Sequence, residues 1–268
     1  VMGLGAQLIA WPVELVDSLV DPGLFVIRYD NRDVGLSTKL DGGEGLDFMS
    51  QFTAAFQGQA VQAPYLLTDM AADGIALLDH LGIESAHIVG ASMGGMIVQT
   101  MAIEHPSRVR TLTSIMSSTG EADVGQPTPE AMQALLSPAA TTREEAVERS
   151  VETGRIISHP THFDPAQARK RAEEAYDRCF EPAGVARQML CILASGSRAE
   201  GLAQLDVPTL VIHGAADPLA TLSGGERTAE LIPDAELLVL EEMAHDLPLL
   251  LLPQVVDAIT ALAARSNA

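Results

Sequence analysis

Residues 88–95 read Ile-Val-Gly-Ala-Ser-Met-Gly-Gly: an apolar run that passes through Gly90-Ala91-Ser92-Met93-Gly94 straight into a helical pattern. A serine on so tight a strand-to-helix turn is forced into a strained backbone conformation, and glycines two positions to either side let strand and helix approach. Its hydroxyl then stands above the sheet, and the next amide, that of Met93, points to where an oxyanion would form. The pentapeptide is a weak signal alone in a chain with 22 glycines. Its flanks strengthen it: residues 87–89 are β-rich and residues 96–103 continue as a helix. The plainer reading is a glycine-rich turn carrying a solvated serine.

Strand and helix patterns alternate around this turn. The continuous apolar run at 24–29 is an expected strand of a parallel sheet buried on both faces, and further strands are expected at 87–90, 109–116, 207–214 and 235–240. Amphipathic helices are expected at 12–20, 65–81, 93–104, 224–231 and 249–264, with a short one at 48–56 inside a Gly- and Gln-rich stretch, 41–63. Between 119 and 205 no strand pattern occurs; helical patterns fill 129–136, 143–154, 165–180 and 183–194. The expected fold is therefore α/β: a mostly parallel, doubly wound sheet formed by 1–118 and 206–268, with 119–205 inserted as a helical cap. In such sheets chemistry sits at the carboxyl ends of the strands.

A chain of 268 residues, 47% hydrophobic and 19% charged, suits one large globular domain. Its formal charge of −20 argues against nucleic acid and anionic membrane surfaces as partners. No window is long enough to insert in a membrane. The two cysteines, Cys179 and Cys191, give neither a disulfide framework nor metal-ligand spacing, and reduced thiols fit a cytoplasmic setting. Homo-oligomerisation stays open. The chain opens Val1-Met2-Gly3, which reads as the tail of a strand entering a glycine turn, so earlier strands and any targeting signal are expected to precede the numbered sequence.

A serine hydroxyl becomes a nucleophile only when a base takes its proton and an acid orients the base. Asp217 follows the strand at 207–214 and His245 follows the strand at 235–240, so Ser92, Asp217 and His245 are expected to meet on one rim of the sheet. Singly, Asp217 before Pro218 could be a turn or capping residue and His245 an ordinary loop histidine. The competitors fit less well. His213 closes a strand; His80, His87 and His105 lie in or beside core elements; His159 and His162 precede the acid in the chain; Asp206 and Asp234 stand at the wrong end of the sheet. Glu241, Glu242 and Asp246 crowd the proposed base, where each could raise its pKa or simply face water. A second oxyanion donor should come from an earlier loop, and the glycine turn at 2–5 offers the amide of Leu4. An ordinary turn is the competing reading there.

The chain resembles the α/β-hydrolase superfamily, and within it is similar to capped esterases of the aclacinomycin methylesterase type. Besides the serine pentapeptide, residues 27–37 (Ile-Arg-Tyr-Asp-Asn-Arg-Asp-Val-Gly-Leu-Ser) match the superfamily's Asp-x-Arg-Gly-x-Gly-x-Ser pattern, with Asp33 at the first glycine. Residues 207–217 match its acid-bearing strand and loop. The resemblance implies Ser92 as nucleophile, Asp217 as acid, His245 as base, and Leu4 and Met93 as amide donors. Two departures stand out: Glu242-Met243-Ala244 replaces the usual Gly-x-Gly before the base, and 41–63 is long, which would reshape the pocket rim. The cap matches poorly.

Together these readings predict a serine hydrolase that cleaves small, largely apolar carboxylic esters through an acyl-enzyme, with no metal and no organic cofactor. The same three residues would serve an acyltransferase, a lactonase or a carbon–carbon bond hydrolase. A hydrolase fold that only holds a ligand is the reading from a different class.

Overall fold

The computed structural model describes residues 1–41 and 48–266. Four strands form a parallel sheet in the order β1 (Ala86–Ala91), β2 (Val109–Ile115), β3 (Thr209–Gly214) and β4 (Glu236–Leu240). Every β3 residue is buried, and in β2 all but one. This is why β3 reads as a nearly unbroken apolar run rather than an alternating one, while β2 buries the small polar Thr111, Thr113 and Ser114 beside its apolar residues. The sheet is covered on both faces. On one lie α3 (Leu67–His80) and α4 (Met93–Glu104), packed through Ile75, Ile97 and Val98 onto Ile88 and Leu112. On the other, α1 (Val13–Val20) and α11 (Leu252–Arg265) bring Leu15, Val255 and Ile259 onto Ile115, Leu210 and Ile212. Helix α4 is apolar nearly all round because it is buried nearly all round. Each such fully buried Ile or Val contributes roughly 1.5–3 kcal/mol.

Between β2 and β3, neighbours in the sheet, the chain makes α5 (Pro129–Leu135), α6 (Arg143–Ile157), α7 (Pro165–Arg178), α8 (Pro182–Ser195) and α9 (Ala199–Leu202). Capping marks their starts: Thr128, Thr142 and Asp164 accept first-turn amides of α5, α6 and α7, and Pro129, Pro165 and Pro182 occupy first-turn positions. Helix α10 (Ser223–Leu231) leads into β4.

Most expected elements lie within a residue or two of their predicted bounds, including the short helix α2 (Phe48–Phe56). The exception is the run at 24–29. It lies outside the sheet with no regular secondary structure, Phe25 84% exposed and Val26 and Ile27 half-buried. An apolar run becomes a strand only where a neighbour completes its ladder, and no described segment pairs with this one. Val1 instead lies along the outer edge of β1, its carbonyl accepting the Ala91 amide at 3.0 Å. The first part of the long 41–63 stretch, 42–47, is outside the described residues. No helix among the described residues is long and apolar enough to cross a membrane.

Candidate active site

The turn between β1 and α4 has the conformation its sequence requires. Ser92 sits at φ 57° and ψ −123°, a positive φ that non-glycine residues rarely adopt. The Ser92 amide donates to Ile115 at the end of β2 (2.9 Å), and its carbonyl accepts from Gly95 (2.8 Å). The glycines are sterically compelled: a Cβ on Gly90 would overlap the Gly94 carbonyl, and one on Gly94 would overlap the Val1 carbonyl.

The other two side chains arrive from the same rim. Asp217 lies three residues beyond β3, fully buried, with Oδ1 accepting the amides of Leu219 (2.8 Å) and Ala220 (2.9 Å). Its Oδ2 is 2.8 Å from His245 Nδ1, and His245 Nε2 is 3.0 Å from Ser92 Oγ. A carboxylate can only accept, so Nδ1 carries the proton there and the Nε2 lone pair faces the serine hydroxyl. An imidazole in this tautomer, backed by a buried carboxylate, has the geometry to accept a proton from the hydroxyl it faces.

Of the two expected amide donors, Met93 follows the serine directly and Leu4 lies in a turn beside it. Met93 is the first residue of α4, where helix geometry leaves an amide without an intrahelical acceptor. Leu4 sits in a turn closed by the Ala6 amide on the Gly3 carbonyl (3.2 Å). A Cβ built on Gly3 would lie 3.0 Å from Ser92 Cβ, so this turn abuts the serine. Among the described residues neither the Leu4 nor the Met93 amide has an acceptor. No group of three or more His, Cys, Asp or Glu among them is arranged to hold a metal ion.

Several of the competing residues have other partners. The ring of His213, wholly buried, bonds the Ala220 carbonyl through Nε2 (2.6 Å), and burial pushes its pKa down, so it is a neutral strut for the Asp217 loop. His87 pairs with Thr111 (3.0 Å). Of the acids beside His245, Glu242 reaches His162 (3.2 Å), and Asp246 accepts the Ala244 (3.1 Å) and His159 (3.4 Å) amides while burial pushes its pKa up. The departures in the base loop fit this packing. Met243 and Ala244 are buried, and the Met243 carbonyl accepts the Ala216 amide at 3.1 Å, tying the base loop to the acid loop.

Fold, strand order and this rim fit one family. A family model described as the alpha/beta hydrolase fold matches residues 2–250. The chain belongs to the α/β-hydrolase family. It is 32% identical over 94% of its length to the rhodomycin D methylesterase DnrP of Streptomyces peucetius, 85% of which is covered. It is also 30% identical over 89% of its length to 3-oxoadipate enol-lactonase 2 of Acinetobacter baylyi, 78% of which is covered. Among solved structures, the meta-cleavage product hydrolase of Pseudomonas fluorescens superposes with a TM-score of 0.76 at 20% identity, covering 99% of this chain and 89% of that one.

Sequence reading missed the contacts that tie this α/β-hydrolase's site to α7 and α8. Asp30 holds the amides of Leu8 and Leu36 and pairs with Arg178 (2.7 Å); Asp33 pairs with Arg187 through two hydrogen bonds (2.8 and 2.9 Å). Ion pairs across this span leave no local periodicity. Gln188 did leave a trace, as the one polar side chain among the buried residues Gly184, Gln188, Met189, Leu190 and Cys191 of α8.

Proposed function

We propose that this protein is a carboxylic ester hydrolase using Ser92 as nucleophile, His245 as general base and acid, and Asp217 as the acid that orients the base. The observation that carries the reading is the His245 ring held between Asp217 Oδ2 (2.8 Å) and Ser92 Oγ (3.0 Å). His245 Nε2 takes the hydroxyl proton as Ser92 Oγ attacks the ester carbonyl. The tetrahedral oxyanion lies against the amides of Leu4 and Met93, each donor supplying roughly 3 kcal/mol in comparable sites. Collapse expels the alcohol with the proton from His245, and water attacks the acyl-enzyme by the same route.

The helical segment 119–205 is read as a cap on a core made of 1–118 and 206–268, supported by its insertion between adjacent strands. Its half-buried Met132, Leu135, Leu136, Ile192 and Leu193 favour a small ester with a largely apolar body. The methylesterase relative supports ester cleavage. Lactones are internal esters, and the enol-lactonase relative makes them the second substrate class to assay. A cytoplasmic setting is the compartment this reading favours, with Cys179 and Cys191 both free. The experiment is turnover of a panel of p-nitrophenyl esters by the wild type and Ser92→Ala. The reading expects hydrolysis by the first alone, and equal rates for both refute it.

A further inference from the structure

Helix α8 reaches the turn that carries Leu4. Gln188, wholly buried, accepts the Gly5 amide on Oε1 (2.9 Å) and donates from Nε2 to the Arg32 carbonyl (2.8 Å). The far end of this clamp is anchored. The Arg32 guanidinium grips Asp73 of α3 through two hydrogen bonds (2.6 and 2.7 Å) and the Asp69 carbonyl (3.0 Å). The near end holds the one peptide of the turn that can flip. A four-residue turn from Gly3 to Ala6 interconverts between its common forms by rotating its central peptide, here Leu4–Gly5. Gly5, at φ 65°, has no Cβ to resist that rotation. The Oε1 acceptor selects a single orientation of that peptide at 2.9 Å; the neighbouring peptide, which bears the Leu4 amide, has only the longer Ala6-to-Gly3 bond of 3.2 Å, so the direction of the amide depends also on the hold across the Leu4 Cα.

We propose that Gln188 is a positioning residue that locks the oxyanion turn, so that the inserted helices set the direction of the Leu4 amide beside Ser92. The inference rests on reading Leu4 as an oxyanion donor. A neutral carboxamide suits the post because one end accepts and the other donates; an ionised carboxylate could not serve Arg32, and a thioether could serve neither contact well. The lock matters only when charge develops on the carbonyl oxygen, so its loss should act on the transition state and not on ground-state binding.

The test compares wild type, Ser92→Ala, Gln188→Met and Gln188→Asn on one p-nitrophenyl ester, together with inhibition by an aryl trifluoromethyl ketone, whose serine adduct carries the same oxyanion. The expected result for Gln188→Met is a kcat lower by about tenfold or more, a KM within about threefold, and ketone inhibition weakened in step with kcat. A role confined to packing would lower the unfolding midpoint and leave ketone inhibition unchanged. Should the Met variant not fold, Gln188→Asn, which keeps the amide and retracts it by one methylene, carries the same comparison. Unaltered kcat and ketone inhibition in the Gln188 variants beside an inactive Ser92→Ala overturn this inference alone. Equal turnover by wild type and Ser92→Ala overturns the hydrolase reading and this inference with it.

Discussion

Asp33 and Arg187, 154 positions apart, form a two-pronged ion pair whose carboxylate is wholly shielded from solvent and also accepts the Tyr65 hydroxyl (2.7 Å) and the Leu40 amide (2.8 Å). Asp33 stands at φ 72°, a conformation that suits glycine better than any residue with a Cβ. Aspartate tolerates that conformation better than most residues, and its side chain gains a partner on α8 that glycine cannot offer. Replacing Asp33 by Gly relieves the backbone and strands Arg187 and Tyr65. We expect a net destabilisation of about 3 kcal/mol, since breaking a buried pair costs roughly 3–5 kcal/mol and the strain returns about 1. The double variant Asp33→Gly/Arg187→Met should recover part of the loss. Urea unfolding of the three proteins measures both numbers.

The same pair dictates an acid dependence. Burial alone would raise the Asp33 carboxyl; hydrogen bonds from Arg187, the Leu40 amide and Tyr65 more than reverse this and hold it below the usual carboxylate range. Asp30 is likewise held low against its burial, by Arg178 and by the Leu8 and Leu36 amides. Carboxyls depressed in the folded state favour folding above their unfolded pKa, near 3.9, and lose that contribution as pH falls through their folded values. Unfolding free energy should therefore drop below about pH 4, and Asp33→Asn should drop less over the same range. An identical acid slope in both proteins would contradict this.

His213 adds a second, separate limb. Burial lowers its pKa, so the unfolded chain binds its proton first as pH falls below about 6.5. Stability should decline from there toward the lower folded value. In His213→Gln that segment of the pH–stability curve should become shallower, with His87 and the Val1 amine, also lowered by burial, keeping the remainder, whatever the variant's stability at pH 8. Retention of the wild-type slope between pH 6.5 and 5 would show that another group is responsible.

Ser92 at φ 57° inverts an ordinary rule. In most positions Ala is more stable than Gly, because glycine loses more freedom on folding. Here the positive φ makes Ser92→Gly the more stable of the two, by about 1 kcal/mol. Both should be inactive toward esters. Denaturant midpoints of the two variants decide the order.

Asp217 makes two sets of contacts that substitution separates. Asp217→Asn keeps Oδ1 for the Leu219 and Ala220 amides but presents an amide group to His245. We expect kcat to fall by about 10⁴ with little change in stability. Asp217→Ala should fall at least as far in kcat and lose a further 1–3 kcal/mol, because two amides are left unpaired. Paired kinetics and unfolding curves make the separation.

The sequence alone determined the strand–helix alternation, the tight serine turn and the chain order of Ser92, Asp217 and His245. These rest on local rules: apolar periodicity, glycines that permit close approach, and residues placed just beyond strand ends. It did not determine that 24–29 stays outside the sheet, because a strand is defined by its neighbour as much as by its own apolar content. Nor did it reveal that Gln188 grips the Leu4 turn or that Asp33 meets Arg187. Hydrogen bonds and ion pairs between positions more than 150 residues apart carry no periodic signature. Only the packing of α8 against two core loops brings those groups within reach of one another.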